Sequence, residues 1–377
     1  MSLESDLEEA ASLARAAALP LWSPASGGNV SVKDEAADTL VVKASGMRLG
    51  ELTPRRGLAC LRLSGVRALL DDAAYDSLSF FDQQDRAGRD QAACLLPGPR
   101  ERPSLETGFH SLGDRVVLHT HPIPLAAALS MREGRELAMD LAQGLGSGVV
   151  WVDLRPPGYS LARLIRQELG KRPGASLALL QNHGLVAWGP DAATVLGLTR
   201  SLAERCQTAF GLPEPPRLHP EAALLDAVRK GLERLLKQEL GAANALSALA
   251  TDPYAAGLAF DEEWAWQPVL ADDALFCGMQ VPLLSPSQAL DPIGLAARFQ
   301  GAARRVAVAV RGQGVAAAAE TPRALETLLE MLRANALTRA MTRRRGKTLA
   351  LSAEVCASVA GMEGERYRQR LADQAKA

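Results

Sequence analysis

The sequence predicts an α/β protein, and three observations predict it. Short β-branched or leucine-rich runs alternate with stretches of helical period through the first half. A proline-dense break follows, "GLPEPPRLHPE" at 211–221, with four prolines in eleven residues. Beyond the break, an order of apolar strand, glycine turn, strand and long helix repeats one already seen before it. The reading gives a first domain over 1–212, a Pro-rich linker over 213–221, and a smaller α/β domain over 222–377.

The elements follow in chain order. "MSLESDLEEAASLARAAALP" spaces Leu3, Leu7, Ala10 and Ala14 on one helical face and begins with acids, so it reads as an amphipathic helix rather than a signal peptide. "TLVVKAS" (39–45) reads as a strand. "DQQDRAGRDQAACLLPGPRERPS" (82–104) lacks either period and is expected to be a long loop. "RVVLHTH" (115–121), "GVVWVDL" (148–154) and "SLALLQNH" (176–183) read as strands. "PIPLAAALSM", "GYSLARLIRQELGKR" and "DAATVLGLTRSLAERCQTAF" read as the helices that follow them. The stretch 177–206 superposes without a gap on 307–336, 130 residues later, with Gln313 where the first copy has His183. Glutamine is a poor zinc ligand, so the second copy reads as a degenerate repeat without metal ligands. Gly312-x-Gly314-x-x-Ala317 mimics a dinucleotide-binding turn, but no strand ending in an acid follows about 20 residues on, and the repeat is the preferred reading.

Bulk properties narrow the function. A chain of 377 residues, 47% apolar and 23% charged, suits two ordinary globular cores. A net charge of −1 offers no footprint for nucleic acid or anionic membrane. No apolar run reaches the ~20 residues of a bilayer span. Cys60, Cys94, Cys206, Cys277 and Cys356 are scattered, odd in number and without C-x-x-C spacing, which suits reduced thiols in a cytoplasmic protein.

Four of the five histidines fall in three short motifs at strand ends or beside glycine turns. Residues i and i+2 of a strand leave from one face, so His119 and His121 are expected to point together. His183, in "QNHGLVAWG", supplies a third imidazole, and three nitrogen ligands with no fourth protein ligand are the pattern of a catalytic metal. The bland alternative is a set of satisfied polar residues closing strands; the clustering favours metal. "RPSLETGFHSL" offers Glu106, which shares a face with His110 if a helix starts at Ser104. Taken alone, Glu106 reads equally as a general base beside the cation or as a first-turn helix acid. "SPASGGNVSVK" and "KASGMRLGEL" are glycine-rich turns that read either as ordinary hairpins or as cradles whose N–H groups hold phosphate.

"SGGNVSV", "ASGM", "PSLETGFH", "HTHP" and "QNHGLVAWG", in this order over roughly residues 5–210, resemble the class II aldolase/adducin family. The resemblance implies an α/β/α sandwich around a largely antiparallel sheet, with active sites at subunit interfaces of a homo-oligomer, a tetramer favoured. It implies Zn2+, or another divalent metal, on His119, His121 and His183, with Glu106 as acid/base. It places a substrate phosphate on Ser26, Gly28, Asn29, Ser45, Gly46 and Ser104. The implied activity is cleavage of a ketose 1-phosphate, such as L-rhamnulose or L-fuculose 1-phosphate, to dihydroxyacetone phosphate and an aldehyde. A related decarboxylase or epimerase is the enzymatic alternative. An adducin-like scaffold is the other; such proteins lose the metal histidines, which are all present here. "VDLRPPGYSLARLI", "DDALFCGMQVPLLSP" and "VAGMEGERYRQRLA" resemble more narrowly the aldolase module of bifunctional rhamnulose-phosphate aldolase/lactaldehyde dehydrogenases. On that resemblance the chain is expected to be a stand-alone aldolase module. Two departures stand out. "RELAMDLAQG", with Asp140, replaces the region of the family's proton-donating tyrosine, leaving Tyr159 as the nearest candidate, and Leu105 replaces a serine of the phosphate pocket.

Overall fold

The computed structural model describes residues 2–97, 101–276, 281–300 and 304–362. Cys277 and most of the terminal "VAGMEGERYRQRLA" lie outside them. The described chain forms two compact units, one running to Ala209 and taking in 357–362, the other Phe210–Cys356.

The first unit is built on seven strands: β1 Asn29–Asp34, β2 Thr39–Lys43, β3 Leu58–Arg62, β4 Val116–Thr120, β5 Val149–Val152, β6 Leu177–Leu180 and β7 Gly184–Gly189. Their order is β3-β2-β1-β4-β7-β6-β5. Every neighbouring pair is antiparallel except β5 with β6. The helices are α1 Leu3–Ala17, α2 Leu63–Asp71, α3 Phe80–Ala93, α4 Thr107–His110, α5 Ile123–Leu129, α6 Gly134–Ala142, α7 Tyr159–Lys171 and α8 Ala192–Phe210. Val117, Val150, Ala178, Leu180, Val186 and Trp188 turn one sheet face toward Leu70, Phe109, Tyr159 and Ile165 of α2, α4 and α7. Alternate residues such as Val30 and Val32 turn to the other face, and α1 packs along β1 and β2. The result is the expected α/β/α sandwich with a largely antiparallel sheet.

One expectation fails. Residues 80–93 form α3 where a loop was expected from residue 82. Ser79 caps it by accepting from the Asp82 N–H, while only Ala87 and Gln91 are buried along its length. A helix that buries one alanine and one glutamine has no apolar stripe to read.

The second unit carries β8 Leu246–Leu249, β9 Leu283–Leu284, β10 Arg305–Val310 and β11 Gly314–Ala319 in the order β8-β11-β10-β9, with β9 and β10 parallel. Its helices are α9 Ala222–Gln238, α10 Pro253–Gly257, α11 Ala271–Phe276, α12 Pro286–Ala289, α13 Pro292–Arg298 and α14 Pro322–Arg343; α15 Ala353–Ala360 begins in this unit and ends among residues of the first. Gly312 and Gly314 make a turn between two antiparallel strands and open no helix, which excludes the dinucleotide fingerprint. No described helix is long and apolar enough to cross a membrane.

Candidate functional site

β4 ends on the chemistry. His119 is its penultimate residue, and His121 lies just past the strand with its N–H donated to the Trp22 carbonyl at 2.7 Å. The strand therefore stops one residue short of the expected pair, yet the rings still converge. His183 arrives from the turn between β6 and β7, where Asn182 takes φ 53° and the His183 N–H bonds the Leu180 carbonyl. The next position must be glycine. A Cβ on Gly184 would lie 2.5 Å from both His121 Cδ2 and the Thr120 carbonyl oxygen.

All three imidazoles are buried, and one ring nitrogen from each lies within 4.8 Å of the others. Ring centroids are 4.6 to 5.0 Å apart. His119 Nδ1 donates to the Leu185 carbonyl at 2.8 Å, which leaves a lone pair on Nε2, and that atom faces His121 Nε2 at 2.8 Å. Glu106 Oε1 closes the fourth side, 3.3 Å from His183 Nε2 and 3.6 Å from His119 Nε2. Burial pushes His119 down to about 3, so its ring is neutral at physiological pH. Burial also opposes charge on Glu106, but the facing imidazoles outweigh it and hold the carboxyl below its ordinary range. A carboxylate and three imidazoles thus turn their lone-pair atoms toward one largely buried point. A divalent cation fits that donor set.

β1 positions the acid. Asn29, Ser31 and Lys33 alternate onto the sheet face beneath residues 104–113, and each side chain grips that segment. Asn29 Nδ2 donates to Ser104 Oγ at 2.7 Å, Ser31 Oγ pairs with His110 Nδ1 at 2.8 Å, and Lys33 Nζ donates to the Leu112 and Gly113 carbonyls. Glu106 is the residue just before α4, without a side-chain cap bond, instead of lying within a helix begun at Ser104. It faces the imidazoles while His110 faces Ser31, so the expected shared face of Glu106 and His110 is not formed.

The glycine turns meet close by. Gly28 sits at φ 79°, with the His119 carbonyl 3.0 Å from where a Cβ would be. The Ser45 N–H bonds the Arg102 carbonyl, and Ala44 bridges Pro103, so the turn of Ser45 and Gly46 is tied to the stretch carrying Ser104. Sequence reasoning missed Lys43, whose buried Nζ donates to the Met47 carbonyl at 2.8 Å and the Ser26 carbonyl at 3.4 Å, joining both turns. The available signal was a lysine inside an apolar strand pattern. Ser45, Arg102 and Leu105 line a cavity of about 30 Å³ with Gln84, Gln91 and Met362. Tyr159 is not at the site. Its hydroxyl donates to the Leu69 carbonyl at 2.9 Å and its ring stacks on Tyr75 at 4.1 Å, while Asp140 is exposed on α6.

Known proteins resemble the first half of the chain. An uncharacterized oxidoreductase, YuxG of Bacillus subtilis (strain 168), is 29% identical over 195 residues, which are 48% of this chain and 26% of that protein. The chain thus spans about a quarter of that relative's length. Methylthioribulose-1-phosphate dehydratase of Cronobacter sakazakii is 27% identical over 210 residues, 51% of this chain and 88% of that protein. The N-terminal class II aldolase domain of a conserved Thermoplasma acidophilum protein is 22% identical with a TM-score of 0.46, covering 56% of this chain and 96% of that one. An L-fuculose-1-phosphate aldolase from Thermus thermophilus is 20% identical with a TM-score of 0.36, covering 55% and 93%. The family model for the class II aldolase and adducin N-terminal domain matches residues 8–210, and the chain belongs to that family.

Proposed function

We propose that this protein is a metal-dependent lyase that cleaves a ketose 1-phosphate, of the L-rhamnulose or L-fuculose type, into dihydroxyacetone phosphate and an aldehyde. The observation that carries the reading is the convergence of three imidazole nitrogens on one point with the Glu106 carboxylate 3.3 and 3.6 Å from two of them. His119, His121 and His183 would hold the cation, with zinc the first choice for three imidazoles. When bound, it supplies a Lewis acid for the carbonyl oxygen of the substrate.

The chain's own residues do the rest. In cleavage, the proton lost from the hydroxyl at the bond that breaks is balanced by the proton gained at the carbon that becomes nucleophilic. Glu106, ionised at rest, takes up a proton and delivers it to that carbon, and removes it in the reverse direction. Asn29, Ser104, Ser45, Gly46 and the turn from Ser26 to Gly28 hold the phosphate through N–H and hydroxyl donors, fixing the reacting carbons against the carboxylate. The site works in a homo-oligomer, a tetramer by family resemblance.

A second reading has its own support. The dehydratase relative aligns over 88% of its length, so elimination of water from a ketose phosphate could use the same acid/base and the same cation. Incubating a panel of ketose 1-phosphates and sugar acids with and without chelator separates the two, because cleavage releases two carbonyl fragments and elimination retains the carbon chain. Glu106→Gln should lower turnover by ~10²-fold or more while zinc per chain is unchanged. A wild-type rate in that variant rejects the assignment.

A further inference from the structure

The second unit repeats the first unit's site-bearing half with the same register, not merely the same order of elements. In the first unit, β4 pairs with β7 through Val116↔Gly189, Val117↔Trp188, Leu118↔Ala187 and His119↔Val186. In the second, β8 pairs with β11 through Leu246↔Ala319, Ser247↔Ala318, Ala248↔Ala317 and Leu249↔Ala316, each residue 130 later. The β6–β7 pairing Leu177↔Ala187 through Leu180↔Gly184 recurs at that offset as Ala307↔Ala317 through Val310↔Gly314.

The turn between them repeats as well. Asn182 at φ 53° matches Gly312 at φ 71°. The bond from the His183 N–H to the Leu180 carbonyl matches that from Gln313 to Val310. The bond from the Asn182 N–H to the Leu129 carbonyl matches that from Gly312 to Ala259. Helices α5 and α10 begin at Ile123 and Pro253, and α8 and α14 at Ala192 and Pro322, again 130 apart. Two unrelated sheets do not share pairing, turn dihedral and tertiary backbone bonds at one offset.

We infer that the second unit is a copy of the metal-binding half whose site has been filled in, with Leu249, Thr251 and Gln313 standing at the positions of His119, His121 and His183. The ligand positions are named from the metal reading proposed above, so the inference rests on it. The filling has a physical form. Over Gly184 the nearest side-chain atoms are His121 Cδ2 and His119 Cε1; over Gly314 it is Leu225 Cδ1 of α9, 3.3 Å from a built Cβ. Leu225 is buried in one core with Val310 and Ala316, and Leu249 packs against that core. Gln313 has been put to another use: its Oε1 accepts the N–H of Glu221, the N-cap residue of α9, at 2.6 Å. Removing three imidazoles and a cation would leave a costly void, and a leucine from a long helix closes it.

A ligand graft tests this. In a background with His119→Ala and His183→Ala, the first site is disabled and the chain should bind no cobalt(II). Adding Leu225→Ala, Leu249→His, Thr251→His and Gln313→His should restore about one cobalt per chain, seen by dialysis and by the visible d–d bands of nitrogen-ligated Co(II). A grafted chain with unchanged circular dichroism that stays cobalt-free overturns the inference. If the full graft does not fold, the trio Leu225→Ala/Leu249→His/Gln313→His is read the same way, and a trio that unfolds or binds no cobalt overturns it. Wild-type protein must take one cobalt, not two; two overturns the inference. Wild-type protein that takes none refutes the metal reading of the first unit, a separate failure.

Discussion

Lys33 is a buried cation that the fold retains at a cost. Its Nζ is buried against the Leu112 and Gly113 carbonyls. Burial first, and Arg67 second, bring its pKa from 10.5 down to about 7. Between those values the unfolded chain holds a proton that the folded chain lacks, so stability rises with pH from about 7 to about 10, and below about 7 the full cost is borne. Measured by urea midpoints, wild type should gain on Lys33→Met by ~3 kcal/mol between pH 7 and pH 9.5. Parallel pH profiles of the two proteins would show that Lys33 is charged in the fold. Such a residue is invisible as a liability in the sequence, where it is one lysine among alternating strand positions. The histidine triad was more legible, because i and i+2 on a strand and a histidine before a glycine turn are local patterns. The Ser31–His110 and Lys43 contacts were not, since each joins residues whose separation in the chain carries no period.

At the scale of elements, strands were readable and one helix was not. β4 through β7 bury both faces and so run as continuous apolar stretches, which is what the sequence displays. α3 instead is held by its Ser79 cap and by polar contacts of Gln83 and Gln84 to the carbonyls of Tyr75, Leu78 and Pro157. Its stability therefore leans on the cap more than an apolar helix would. Ser79→Ala should cost ~1 kcal/mol in thermal or urea unfolding. An unchanged midpoint would place the helix's support elsewhere. The same logic explains how Glu106 is aimed. α4 is a single turn with no side-chain cap of its own, and the three grips from β1 fix it where helix propensity could not.

At the scale of the molecule, the two units should respond differently to metal. A cation bound only by the first unit stabilises that unit by RT ln(1 + [L]/Kd), ~4 kcal/mol at a thousandfold excess over Kd. Chelation should then speed hydrogen exchange in peptides covering 116–121 and 180–189 and leave those covering 246–250 and 310–319 unchanged. Equal loss of protection in both units would contradict a single metal site. The amino-acid order by itself determined the α/β class, the proline break, the repeated strand–turn–strand–helix and the histidines that could meet a metal, because those signals are periodic or local. Only the tertiary structure decided that the three rings share a point, that Glu106 faces them while His110 turns away, and that Leu225 closes the corresponding space in the second unit. Convergence and filling depend on which distant segments the sheet brings side by side, and no local pattern encodes that.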